Sequence, residues 1–302
     1  MNLQSALDPQ GVEAAGIAHI AFILFAGGGL IFLAVLILTA LALSSTHRWL
    51  GSTRLVIAGG IVFPLVTLSA LLLYTLPASP RIGSERPADV LVEIVGHQWW
   101  WRIEYLTAQG APDFATANEL HLPRGAVVEL RLRSADVLHS FWVPSLAGKL
   151  DMIPGRENRL RMVADRLGTF RGQCAEYCGG PHAQMALLVR VEPPVEFAAW
   201  LEAQRKPQSA AGSRPEGRRL FLEYCASCHT VRGIGAKGEL GPDLTHFAGR
   251  LSLGAGILPI DAATLPGWIA GSQHLKPGNL MPEFSLTNPE MRELVDYLRS
   301  LH

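Results

Sequence analysis

The sequence predicts three structural classes in tandem: a two-helix transmembrane hairpin, an all-β domain of sandwich or Greek-key type, and a small all-α domain at the C-terminus. Three observations carry this reading. Two long apolar runs lie near the N-terminus, Ile17 to Leu43 and Leu55 to Leu76. From Pro87 onward apolar and polar residues alternate with the period of half-buried strands. Beyond a short polar stretch at 207–215 the spacing turns helical around Cys225-Ala-Ser-Cys228-His229. The expected boundaries are a tail at 1–16, the hairpin at 17–80, the β-domain at 81–206, a linker at 207–215 and the helical domain at 216–302.

A chain of 302 residues is long enough for two domains of ordinary size plus an anchor. Its 26 basic and 26 acidic side chains cancel to zero net charge, which argues against a nucleic-acid partner. The neutral total says nothing about which protein docks, because charged patches can hide inside it.

Each apolar run can span about 30 Å of hydrocarbon. The loop between them, Ser44 to Arg54, carries His47, Arg48 and Arg54, whereas the tail carries Asp8 and Glu13 and no Lys or Arg. Excess positive charge stays on the cytoplasmic side, so the loop is expected inside and both chain ends outside. A cleaved signal peptide fits the first run poorly: it is too long for the apolar region of a signal and lacks a basic start. His19, near the outer edge of the first helix, reads as a proton-path group or as a packing histidine. Pro64 predicts a kink in the second helix.

In the middle region Val90 to Val95, Val127 to Arg133 and Leu187 to Val191 read as strands separated by Pro/Gly breakers, with little helix before Val195–Ala203. On one loop of this domain lie Cys174, Cys178, His182 and Met185, and His139 is supplied from a separate strand end. Thiolates and imidazoles suit copper. Two cysteines four apart can bridge one pair of metals if the loop curls back, with a histidine capping each end, Met185 as a thioether ligand and the Glu176 carbonyl between the thiolates. A disulfide or a single-copper assembly site would also use a C-x3-C pair, but a disulfide needs none of His139, His182 and Met185. Trp99-Trp100-Trp101 reads as a strand alternating between core and surface.

The remaining two of the four cysteines form the C-x-x-C-H run of covalent haem c attachment, Cys225, Cys228 and His229. Haem is attached to such runs outside the cytoplasmic membrane, in agreement with the charge argument for the hairpin. Met/His ligation raises the potential of an electron-transfer haem. Met281, in a Pro-rich loop, is the expected second iron ligand. Met291 on the last helix, His246 and His274 are the alternatives.

These runs also carry a resemblance. Residues 1–206 resemble subunit II of the haem–copper oxidases of the cytochrome c oxidase type. The matching runs are Gly96-His-Gln-Trp-Trp-Trp-Arg-Ile-Glu-Tyr105, Asp136-Val-Leu-His-Ser-Phe-Trp-Val-Pro-Ser145, Ile153-Pro-Gly-Arg156 and Gly172-Gln-Cys-Ala-Glu-Tyr-Cys178. The resemblance implies a cupredoxin fold holding the binuclear copper centre CuA, with Cys174, Glu176, Cys178, His182, His139 and Met185 as ligands. It implies that the Glu176 side chain helps bind Mg2+ at the boundary with subunit I, and that Trp99 is where electrons arrive from cytochrome c. Residues 216–302 resemble a class I cytochrome c, including Gly241-Pro-Asp-Leu244 and the Met-Pro loop. That likeness implies that Gly217 and Phe221 pack against Tyr297 and that Pro242 supports His229. A cytochrome fused behind the copper domain is the caa3-type arrangement. One departure stands out. The family often places a Glu seven positions before the proline of the second helix, at the mouth of a proton pathway, and here that position is Ile57.

The expected function follows from the resemblance. The chain would be subunit II of a caa3-like cytochrome c oxidase, passing electrons from haem c through CuA to the oxygen-reducing centre of subunit I, with proton pumping. Its partners would be subunit I, subunit III, a cytochrome c or other periplasmic donor, and lipid. The alternatives are the electron-input subunit of a CuA-bearing nitric oxide reductase, a membrane-anchored electron carrier and a copper-delivery protein. Delivery predicts fewer, labile ligands and no fused haem, and a quinol oxidase subunit would lack the copper ligands.

Overall fold

The computed structural model describes residues 4–44, 48–78, 86–209 and 214–302. The first helix, α1 (Val12–Ser44), is apolar on every face and has a mean hydropathy of 2.8. A helix hydrophobic all round belongs in a protein interior or a bilayer, and its surface here is exposed, so it is built for lipid. At 1.5 Å per residue its 33 residues run about 50 Å, more than a bilayer core needs. The surplus lies at its start, which is sewn to the β-domain. Gln10 donates its N–H to Ser145 O at 2.7 Å, Val12 to Val163 O at 3.1 Å and Ala14 to Leu146 O at 3.3 Å, and Asp165 returns a bond to Gln10 O at 3.0 Å. A side chain at Gly11 would sit 2.4 Å from Leu146 O, so only glycine permits this approach.

The second apolar run starts as α2 (Thr53–Ile57), capped by the Ser52 hydroxyl on Leu55 N–H, widens into a π-helical turn at Ala58–Val62 and resumes as α3 (Phe63–Ala78). Pro64 lacks the N–H that would continue the ladder, and the wide turn directly before it reroutes the carbonyls. The kink expected from Pro64 therefore takes the form of a π-bulge. His47 of the connecting loop lies outside the described residues.

Ten strands follow: β1 (Val90–His97), β2 (Trp100–Leu106), β3 (Pro112–Ala117), β4 (Glu119–Pro123), β5 (Val128–Ser134), β6 (His139–Trp142), β7 (Leu150–Met152), β8 (Asn158–Met162), β9 (Gly168–Cys174) and β10 (Ala186–Glu192). They form two five-stranded sheets, β3-β2-β1-β5-β8 and β4-β10-β9-β6-β7, packed as a cupredoxin-like sandwich. The β1–β5 and β4–β10 pairs are parallel, so each is joined by a crossover connection instead of a hairpin. Register puts Ile94 opposite Ile103 on one side and Leu132 on the other, and all three are fully buried. Trp101 and Phe141 meet edge to face at 5.9 Å in this core. The helix α4 (Pro194–Arg205) closes the sandwich with Phe197 and Trp200, the latter stacked 3.9 Å over His121.

The C-terminal region holds α5 (Pro215–Tyr224), α6 (Thr264–Leu275), α7 (Asn288–Leu298) and a two-stranded ribbon, β11 (Thr230–Val231) with β12 (Ala236–Lys237). Helices α5 and α7 touch at Gly217, where a Cβ would fall 2.2 Å from Glu293 O, and at the Phe221–Tyr297 ring pair, 5.7 Å apart. A Thr287–Glu290 capping box starts α7.

The two folded regions are joined by more than the chain. Ala186 N–H donates to Ala255 O at 3.1 Å, Leu251 N–H to the Glu119 carboxylate at 2.7 Å, and Arg171 to Gly256 O at 3.2 Å. At the start of the expected linker, the Gln208 side chain donates to Thr245 O and His302 O, each at 2.7 Å. Residues 210–213 of that linker lie outside the described residues.

Candidate functional site

All four cysteines are free thiols. Cys174 ends β9, Cys178 follows on the loop, and a 3-10 turn at Gly180–Gln184 aims His182 and Met185 back at them. The loop can double back because Gly179 takes a φ of 116°, and a side chain there would meet the Trp99 ring at 2.9 Å.

The donors sort around the two sulfurs. Cys174 Sγ lies 3.8 Å from His139 Nδ1 and 3.2 Å from the Glu176 carbonyl. Cys178 Sγ lies 3.4 Å from His182 Nδ1 and 3.8 Å from the Met185 sulfur. Ligand atoms of His139, Cys174 and Cys178 all fall within 4.8 Å of one another, and all three residues are buried. The Cys174 thiol is pulled down to about 3 by its hydrogen bonds to Cys178 first and then to His139, while the Cys178 thiol is pushed far up beside it. The pair thus holds one proton between two sulfurs, and a soft cation is the natural replacement for it.

The imidazole of His139 is fixed by its far nitrogen, with Nε2 2.7 Å from the Asp136 carboxylate. That bond leaves the Nδ1 lone pair directed at Cys174. Gly96 makes room for the ring, since a Cβ there would come 2.9 Å from His139 Cδ2. Asp136 also accepts the Gln98 backbone N–H at 2.7 Å. Two side chains, Gln98 Nε2 and Trp99 Nε1, donate to the Cys178 carbonyl, both at 2.8 Å. Sequence reasoning missed Gln98 and Asp136 as supports; the signal was their place inside the same two runs that carry Trp99 and His139. The Glu176 side chain belongs to no group of three or more His, Cys, Asp or Glu among the described residues.

The second site is a cavity of ≈ 280 Å³ lined by Cys225, Cys228, His229, Arg250, Trp268 and Met281, among others. His229 donates from Nδ1 to Pro242 O at 2.8 Å, so Nε2 carries the free lone pair, and burial holds its pKa below the ordinary value. Gly241 lets the ring lie flat on the backbone, as a Cβ would meet it at 2.6 Å. Met281 lines the same cavity as His229. Of the alternatives, Met291 packs on the helical core, His246 bonds to Lys206 O at 2.9 Å, and His274 is exposed beside Glu283. The chemistry fits a covalent haem: two thiols for the vinyl groups, an imidazole and a thioether for iron. Arg250, which sequence reasoning also missed, lies in the cavity wall with an unpaired buried Nε, and burial lowers its pKa. A buried guanidinium with a vacant donor suits a haem carboxylate.

The two sites share a wall. Trp99, expected as the surface point where electrons arrive, bonds to Cys178 through its indole and lines the cavity that holds His229. A Cβ at Gly278, three residues before Met281, would be 3.5 Å from its ring. The chain's own helical domain therefore faces Trp99. Of the aromatic run, Trp101 is fully buried and Trp100 stacks on His97 at 4.5 Å.

Two family models match the chain. One is "Cytochrome C oxidase subunit II, periplasmic domain", over residues 109–192, and the other is "Cytochrome c", over 215–302. Cytochrome c oxidase subunit 2 of Alkalihalophilus pseudofirmus is 34% identical over 263 residues, covering 83% of this chain and 74% of the relative. The subunit 2 of Bacillus sp. strain PS3 is 30% identical over 268 residues, covering 80% and 73%. Among solved structures, the periplasmic domain of subunit II of cytochrome oxidase of Bradyrhizobium japonicum is 34% identical over 39% of this chain and 94% of that one, with a TM-score of 0.36.

Proposed function

Because the chain belongs to the cytochrome c oxidase subunit II family, in its form with a fused C-terminal cytochrome c domain, we propose that it is the electron-input arm of a caa3-type oxidase. It is a membrane-anchored component of a haem–copper oxidase complex, and respiratory electron transport is its setting. In the reading we favour, electrons reach haem c from a periplasmic donor, cross to CuA and leave for the oxygen-reducing centre of subunit I, where reduction is coupled to proton pumping.

One observation carries this: Trp99 is hydrogen bonded to the carbonyl of Cys178 and at the same time forms part of the wall around His229. The residues that would hold copper are Cys174, Cys178, His139, His182, Met185 and the Glu176 carbonyl, and those that would hold haem are Cys225, Cys228, His229 and Met281. When bound, the two groups supply one-electron chemistry with little change in bonding. The protein's own part is to present the ligands in place. Asp136 holds the His139 tautomer, Pro242 holds that of His229, and Gln98 and Trp99 fix the carbonyl between Cys178 and the next turn. A Mg2+ at the Glu176 carboxylate would need its other ligands from subunit I.

The hairpin is read with its connecting loop in the cytoplasm and both redox domains outside. The bonds from Gln10 and Val12 to the β-domain support this, because they bring the start of the first helix to the domain that follows the second.

The test is oxygen uptake by the complex isolated with this chain, given reduced cytochrome c. Cyanide-sensitive uptake is expected. A fully metallated complex that consumes nitric oxide instead, or neither gas, refutes the oxidase reading in favour of the reductase or the free carrier.

A further inference from the structure

Lys276 is only 3% exposed, and its ammonium donates to three backbone carbonyls: Trp99 O at 2.6 Å, Gln184 O at 2.9 Å and Gly254 O at 3.0 Å. Three donors are all that an ammonium has. Two acceptors belong to the β-domain and one to the helical domain. Among the described residues no carboxylate forms an ion pair with it. An ammonium buried without a carboxylate partner is costly to hold; burial lowers the Lys276 pKa to about 7, and attraction to the Cys178 thiolate opposes that shift.

Its position in the chain gives the cost a use. Lys276 directly follows α6 and opens the segment that ends at Met281; Asn279 Nδ2 donates back to its carbonyl at 2.8 Å. On the other side Gln184 immediately precedes Met185, and the Gln184 amide returns a bond to Leu275 O at 3.1 Å. The loops bearing the two methionine ligands are thus strapped together in both directions, with Trp99 between them.

We propose that Lys276 is a positioning residue for electron transfer between the two centres, clamping the Met281 loop onto the Met185 loop so that the fused haem domain sits over Trp99. This rests on the functional reading above. In the step it would serve, one electron would pass from the haem, oxidised by one electron, to the copper pair, reduced by one; no covalent bond would change. With the clamp closed, Trp99 is served by the chain's own haem, and a separate cytochrome has no approach to it.

The experiment uses the assembled complex with Lys276→Met, which keeps an unbranched side chain one atom shorter and removes all three donors. Haem-to-copper electron transfer is followed after flash reduction of the haem, and amide exchange is followed at Ala186 and Leu251, whose N–H groups cross the domain boundary elsewhere. The expected result is transfer slowed at least about tenfold, the factor set by losing one bond between a charged group and a buried carbonyl. Exchange at both amides should rise while the absorption spectra of both centres stay as in the wild type. Unchanged transfer and exchange overturn the proposal. Loss of the methionine–iron band also overturns it, since Lys276 would then act only within the haem loop. If Lys276→Met fails to fold, Gln184→Met weakens the same strap from the copper side and should shift both readouts in the same direction by less; no shift overturns the clamp. Absence of haem c or of copper from the wild-type complex refutes the functional reading itself.

Discussion

The indole N–H of Trp99 and the carbonyl of Cys178 are joined by a 2.8 Å hydrogen bond that spans 79 residues of sequence. It links a ring in the wall of the haem cavity to the backbone of a copper-loop cysteine. Trp99→Phe keeps an aromatic ring and removes both the indole and the bond, leaving Gln98 as the remaining side-chain donor to that carbonyl. Copper and haem contents should stay at wild-type levels, and stability should drop by about 0.5–1.5 kcal/mol. Flash-reduction kinetics should show slower oxidation of the haem. Kinetics equal to wild type would mean that the electron bypasses the indole.

The Gly96→Ala variant tests the support beneath His139. The added methyl would lie 2.9 Å from the imidazole, and the ring is fully buried with no room to retreat. Overpacking of this kind costs about 1–3 kcal/mol. Copper content by metal analysis should fall with it, while haem attachment at Cys225 and Cys228 stays complete.

These two variants also mark what was legible in the sequence. Cys174, Cys178, His182 and Met185 sit within one short run, and a ligand set that is local in sequence can be read by spacing. So can Cys225, Cys228 and His229. The two-fold alternation gave β1, β5 and β10 because one face of each is buried. Roles that arise from partners far along the chain were not readable. Lys276 meets Trp99 across 177 residues, and Leu251 meets Glu119 across 132. Nothing in the composition near Lys276 distinguishes it from a solvated surface lysine. Pro64 announced a kink, but its form as a π-turn depends on backbone bonding that no residue type encodes.

A third prediction concerns pH. His121 is buried between Glu119, 2.8 Å from Nε2, and Glu192, 2.9 Å from Nδ1. Burial opposes its charge, but the hydrogen bonds it makes to the two carboxylates outweigh burial and raise its pKa above 6.5. A raised histidine pKa gives stability that is complete below about 6.5 and is lost as pH rises through the elevated value. Glu192, lowered against burial by the same His121 bond, gives stability that is lost as pH falls through its depressed value. Thermal melts of the solubilised chain, followed by circular dichroism, should show stability falling as pH rises above about 6.5. His121→Gln should flatten that limb; a limb that persists would place the titrating group elsewhere.

Gly217→Ala probes the helical domain by itself. The new methyl would collide with Glu293 O at 2.2 Å and Tyr297 Cβ at 2.6 Å, both on the facing helix. Backbone cannot yield as a flexible side chain does, so α5 must separate from α7, with a loss of at least about 1–3 kcal/mol. Haem staining of the chain should decline while copper content holds. Equal loss of both metals would show that the two domains fold as one unit.

The stitching of Gln10, Val12 and Ala14 to the β-domain has a mechanical consequence. A globule on a single tether swivels, and its active face samples every direction above the bilayer. This one is mounted at two points, by the covalent chain after the second helix and by the hydrogen-bonded edge before the first. Two mounts remove the swivel, so the bearing of the copper loop relative to the helices is set within the chain itself. The catalytic subunit then meets an arm that already points one way.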